Sequence, residues 1–204
     1  MKIISAVVLG NSGVGKSTML SRIVDNVEMR EHFITIGTDI FEMDVMCCKD
    51  GRLARMPTKL QGKYYRLKLY DTGGDPRFQQ IADTYVRRFK MFVICFKQPT
   101  EIHRWLAVIQ RYHKIAECMI VLIAMKSDLR IQNKAEFQLR YIRETNRYLA
   151  SFLFFDTCIT DQRHVRIHII LETLIREYIL NRETDDEYIS LTEPFPRSAF
   201  CFCL

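Results

Sequence analysis

The chain has 204 residues, a net charge of +6 and 26% charged side chains. That length suits one domain with a sizeable core, and no apolar run approaches the length of a transmembrane helix. The positive balance is compatible with an anionic membrane surface or an acidic partner, and is no nucleic-acid footprint by itself. Seven cysteines, an odd number outside any zinc-ligand spacing, favour a reducing compartment over a disulfide framework.

Ile3–Leu9 is a continuous apolar run, the pattern of a strand buried on both faces. It passes straight into the next motif, so it reads as a strand rather than a signal peptide. That motif, Gly10-Asn11-Ser12-Gly13-Val14-Gly15-Lys16-Ser17, matches G-x-x-x-x-G-K-[ST]. A helix is expected over Lys16–Val27, which gives the strand–loop–helix setting the motif requires. Glycines let backbone N–H groups close around phosphate oxygens, and the helix N-terminus adds partial positive charge. Lys16 is placed to reach the β- and γ-phosphates, and the Ser17 hydroxyl to ligate Mg²⁺.

Phe41, Met43, Val45 and Cys47 alternate with Glu42, Asp44 and Met46, and Tyr65, Leu67 and Leu69 alternate with Arg66 and Lys68. Both are half-buried strands, expected to pair as a hairpin. Between them, 49–64 carries Lys49, Arg52, Arg55, Lys59 and Lys63. It reads as a solvated extended hairpin or as a basic contact surface for a membrane or partner. Met91–Phe96, Met119–Met125 and Phe152–Phe155 are further buried strands, and helices are expected over Glu101–Ile115, Asn133–Ser151 and His164–Asn181. This alternation predicts a doubly wound α/β fold, a mostly parallel six-stranded sheet with helices on both faces. The domain covers 1–181. The acidic, Pro-punctuated remainder, 182–204, reads as a flexible tail.

Four further segments carry a family resemblance. Asp71-Thr72-Gly73-Gly74-Asp75-Pro76-Arg77-Phe78 resembles the D-T-A-G-Q-E-R-F segment of Ras-superfamily small GTPases. Thr35-Ile36-Gly37-Thr38-Asp39-Ile40 resembles the T-I-G-V-D-F switch I stretch of the Rab subgroup. Tyr85-Val86-Arg87-Arg88 and Trp105-Leu106 resemble its Y-Y-R-G and W-L elements. The order and spacing agree over about residues 1–181, apart from the 49–64 insert, which sets the two switches further apart. The resemblance implies the P-loop NTPase, small-GTPase fold and a GTP/GDP ligand held with Mg²⁺. Ser17 and Thr35 are then the metal's hydroxyl ligands, with Asp71 in support. Asn11, Ser12, Gly13, Val14, Gly15, Lys16, Ser17 and Thr18 surround the nucleotide, Gly74 senses its γ-phosphate, and Lys126 and Asp128 hold the base. Lys16 and the residue at position 75 serve hydrolysis. Loss of the γ-phosphate would release both switches, and an exchange factor, a GTPase-activating protein and effectors would engage them.

Departures from the family are as informative. The family's water-orienting Gln is replaced by Asp75, shorter, anionic and unable to donate as an amide does. Pro76 biases Asp75 toward extended geometry. Slow hydrolysis follows, with Asp75 as a general base the alternative. Met125 stands at the Asn of the family's G-N-K-x-D-L element, and Thr157-Cys158-Ile159-Thr160 replaces T-S-A-K. Glu28 falls where an aromatic usually covers the base, with Phe33 the substitute nearby. Each lost hydrogen bond removes about 1 kcal/mol, so two or three weaken affinity roughly ten- to a thousandfold.

Cys201-Phe202-Cys203-Leu204 fits C-a-a-X with Leu at X, a pattern for geranylgeranylation of Cys201, with Cys203 a second lipid site. The expectation is a cytoplasmic protein, peripheral on the cytosolic face of a membrane and acting in vesicle traffic. A membrane-anchored pseudo-GTPase with weak or static nucleotide binding is the competing reading. A P-loop kinase or ATPase is disfavoured by Asp128, whose carboxylate suits the guanine N1–H and amine.

Overall fold

The computed structural model describes residues 2–24, 34–48, 53–55, 62–126, 153–156, 175, 176 and 178. Its elements run β1 (Lys2–Leu9), α1 (Lys16–Val24), β2 (Thr38–Cys48), β3 (Leu53–Arg55), β4 (Gly62–Thr72), α2 (Gln79–Arg88), β5 (Met91–Phe96), α3 (Thr100–Gln110), β6 (Met119–Ala124) and β7 (Leu153–Asp156). They build one sheet in the order β3-β2-β4-β1-β5-β6-β7. The six expected strands are present, and the seventh is a correction to the count. It is the three-residue β3, which pairs antiparallel with Val45–Cys47 along the outer edge of β2.

β2 and β4 form the expected antiparallel hairpin, in register from Thr38 opposite Thr72 to Cys48 opposite Gly62. The β4–β1, β1–β5, β5–β6 and β6–β7 pairs are parallel. Alternate residues of the central strands enter two cores. One holds Ile4, Ala6, Val8, Leu67, Leu69 and Val93 beneath α1, and Ile175 joins it. The other holds Val7, Leu9, Phe92 and Ile94 against Val86 of α2 and Trp105, Leu106 and Ile109 of α3.

One helix, α2, and the ends of α3 and β6 also differ from expectation. α2 was not legible because it buries only Ala82 and Val86, too few apolar positions to set a helical period. α3 ends at Gln110, and Ile115–Glu117 forms a separate 3₁₀ turn. β6 stops at Ala124, so Met125 begins the loop. The sequence-predicted helices over 133–151 and 164–181 lie outside the described residues, except that Ile175, Arg176 and Tyr178 are helical.

Parallel pairing brings the C-terminal ends of β1, β4, β5 and β6 to one rim of the sheet, the place where open α/β folds bind ligands. β2 delivers Thr35, three residues before its start, to the same rim.

Candidate functional site

Gly10 leaves β1 at a φ of 151°, and a Cβ there would overlap the Cys95 carbonyl oxygen of β5. Only glycine lets the loop turn this close to the neighbouring strand. The loop then curls over the Lys16 side chain. The Lys16 ammonium donates to the Gly10 carbonyl at 2.8 Å and the Asn11 carbonyl at 3.2 Å. Burial pulls its pKa below the usual lysine range, and the nearby Asp71 charge opposes that shift. A buried ammonium with two neutral acceptors is poised for an anion.

The β1–β4 register sets Asp71 beside Val8, and the Thr72 hydroxyl donates to the Val8 carbonyl at 2.8 Å. Asp71 therefore sits beneath the loop, fully buried. Its Oδ2 accepts from the Ser17 hydroxyl at 2.5 Å and from the Thr35 hydroxyl at 3.4 Å. Ser17 and Thr35 oxygens are 3.0 Å apart. Asp71 Oδ1 is buried without a hydrogen-bond partner. Burial raises the Asp71 pKa, hydrogen bonds from Ser17 and the charge of Lys16 lower it, and Asp39 raises it again. Asp39 lies directly opposite Asp71 in the β2–β4 register, and like charges so placed repel. An orphaned buried carboxylate oxygen and the two hydroxyls beside it make a hard-oxygen set. That set fits Mg²⁺.

The segment that follows β4, Gly73–Phe78 (switch II), packs onto the loop at Gly74. The Gly73 N–H donates to the Gly37 carbonyl at 2.9 Å, which ties the two switches together. A Cβ on Gly74 would overlap Gly10 O, Asn11 C and Ser12 N, so only glycine closes here. Asp75 then caps the Pro76–Phe78 turn in extended geometry, at φ −76° and ψ 135°, as Pro76 dictates. Its carboxylate accepts from the Arg77 backbone N–H at 2.9 Å, Arg77 Nε at 3.0 Å and Arg77 Nη2 at 2.8 Å. Those bonds hold the Asp75 pKa down to about 2. Sequence spacing names Arg77 but not its bidentate grip.

At the base end, the Met125 side chain is fully buried in the α1-side core, and its N–H donates to the Phe96 carbonyl at 2.8 Å. Lys126 holds a φ of 56°, a conformation that side chains other than Gly rarely adopt. Lys97 stands beside it, and burial first, then the Lys126 charge, lowers the Lys97 pKa. That lysine pair escaped sequence reasoning. Asp128, Glu28, Phe33, Thr157–Thr160, Cys201 and Cys203 lie outside the described residues.

A doubly wound sheet with this phosphate-type loop after β1, and two glycine-tied segments meeting over Ser17 and Asp71, defines a Ras-type GTPase domain. The chain belongs to the Ras family, whose family model matches residues 5–179, and is a divergent Rab-like small GTPase within it. It is similar to Ras-related protein Rab-27B of Homo sapiens, 31% identical over 134 residues, 62% of this chain and 59% of that protein. GTP-binding protein YPT1 of Saccharomyces cerevisiae is 29% identical over 134 residues, 63% of this chain and 58% of its own length. Ras-related protein Rab-1C of Dictyostelium discoideum is 28% identical over 142 residues, 67% and 64% respectively. The chain spans about three-fifths of the length of these relatives.

Proposed function

We propose that this protein is a GTP/GDP-binding molecular switch of vesicle traffic that hydrolyses GTP slowly. The observation that carries the reading is the convergence of Ser17, Thr35 and the unpartnered Asp71 Oδ1 beside the Lys16 ammonium. Lys16 would exchange carbonyl partners for β- and γ-phosphate oxygens, and Asn11 to Thr18 would wrap the phosphates with backbone N–H groups. Ser17, Thr35 and Asp71 would hold Mg²⁺, which neutralises phosphate charge when bound. Gly74 would present its N–H to the γ-phosphate. Lys126 and Asp128 would hold guanine, the first through its alkyl stem and the second through its carboxylate.

Slow hydrolysis rests on Asp75. A carboxylate clamped by Arg77 with a pKa of about 2 is too weak a base to take a proton from water near neutral pH. It also lacks the donor an amide would supply. Partners would meet the switch face, where Ile34, Ile36, Ile40 and Ile81 are exposed, Ile36 by 79%. Regulators and effectors of that kind are the proposal, together with a C-terminal lipid on Cys201 or Cys203. No helix among the described residues is long and apolar enough to cross a membrane.

One observation favours the pseudo-GTPase reading. Met125 points into the core and offers the base nothing. Limited proteolysis of the switches separates the two. Stronger protection with a non-hydrolysable GTP analogue than with GDP supports the switch. Equal cleavage supports the static module.

A further inference from the structure

The Asn11 peptide is the surface on which Gly74 rests, so its position matters to both the loop and switch II. Asn11's side chain reaches α3. Its Oδ1 accepts from the Trp105 indole N–H at 3.3 Å and from Arg104 Nη1 at 3.3 Å. Both donors come from α3, more than ninety residues along the chain. Both lack acceptor capacity, so they fix which face of the amide meets them. Trp105 is 1% exposed, and its buried N–H has Asn11 as its acceptor. An indole N–H left unpaired there would be costly. Arg104 lies over the Trp105 ring at 5.2 Å, and its Nη2 reaches Gln79 Oε1 at 3.5 Å. Gln79 opens α2 and donates to Asp83 at 2.9 Å. Asp83 in turn accepts from the Tyr112 hydroxyl at 3.0 Å, beyond the end of α3.

We infer that Trp105 and Arg104 are positioning residues. Together they hold the Asn11 side chain, and with it the loop, and tie it through Gln79 to the start of α2. The consequence for nucleotide exchange rests on the switch reading above, while the geometry does not. A loop held at Asn11 keeps its N–H groups aligned and keeps the Gly74 contact in register. Release of Asn11 would loosen both at once.

The test uses the full chain with Asn11→Ala, Trp105→Phe and the double variant. Two readouts are taken: GDP dissociation in Mg²⁺, followed with a fluorescent GDP, and backbone hydrogen exchange of the nucleotide-free protein. Trp105→Phe is expected to speed GDP release about fivefold, the loss of one net hydrogen bond, and Asn11→Ala, which loses the bonds from both Trp105 and Arg104, at least as much. The double variant should be no faster than the faster single one, because both remove the same contact. Exchange should quicken at 10–15 and 73–79 and stay unchanged in β5 and β6. Additive effects on release, or unchanged exchange at 10–15 and 73–79, would overturn the inference. If the wild type binds no GDP, the switch reading fails alone and hydrogen exchange decides this one. Should Trp105→Phe not fold, Arg104→Ala replaces it in the same cycle, and non-additivity with Asn11→Ala remains the criterion.

Discussion

The two ends of the site have diverged differently. Around the loop after β1, Ser17, Thr35 and Asp71 come from three separate stretches of chain and meet within hydrogen-bond reach, with the Lys16 charge close by. At the base end and at the hydrolytic position, the altered residues have been given other partners. Met125 belongs to the core and Asp75 belongs to Arg77. The lesson is that a substituted site residue is best judged by what it now touches. Each change gives the side chain a defined partner elsewhere in the fold.

The contrast breaks most readily at Lys16. Lys16→Ala should weaken nucleotide affinity by about a hundredfold or more, the scale for losing a buried charge partner, as measured by titration with fluorescent GDP. An affinity within a few-fold of wild type would remove Lys16 from the phosphate end. Gly74→Ala comes next. Its Cβ would overlap three backbone atoms of the loop, so proteolytic protection of the switches by a GTP analogue should fall to the GDP level. Asp75→Gln sharpens the other side of the comparison. It removes the Arg77 clamp and restores an amide, and single-turnover phosphate release should rise about tenfold. No rise would mean that Pro76 geometry, rather than the side chain, limits hydrolysis.

Smaller effects test the same division. Met125→Asn should lower unfolding free energy by about 1–3 kcal/mol, because it puts an amide in an apolar cluster, as read from urea denaturation. An unchanged stability would show that the side chain at 125 can leave the core for the base. The pH profile gives the smallest signal. The Asp75 pKa is lowered from 3.8 to about 2, so its ion pair is complete above the unfolded value and is lost as pH falls through about 2. Hydrolysis between about pH 5 and about pH 8 should therefore carry no inflection from Asp75. An inflection present in the wild type and absent in Asp75→Asn would restore the general-base alternative.

Much of this was legible in sequence. Apolar runs at Ile3–Leu9, Met91–Phe96 and Met119–Met125 mark strands buried on both faces, and β1, β5 and β6 lie there. The loop motif carries its own chemistry, so its position needed no structure. Other features escaped for physical reasons. α2 presents too little apolar surface to show a period. β3 is three residues long, below the length at which alternation means anything. Contacts such as Asn11 with Trp105, or Asp39 facing Asp71, are set by tertiary packing and register, which no local spacing encodes. Met125 was legible as a loss to the base, but its gain to the core was not.

The most direct measurement is the nucleotide content of the full chain purified in Mg²⁺ without added nucleotide, released by denaturation and identified by chromatography. Near-stoichiometric guanine nucleotide, mainly GTP, is the predicted result, because on this account the phosphate end would hold the ligand and Asp75 would leave it unhydrolysed. An empty protein that also fails direct titration with GTP and GDP would contradict the account, and would leave the convergence of Lys16, Ser17, Thr35 and Asp71 as the remnant of a lost site.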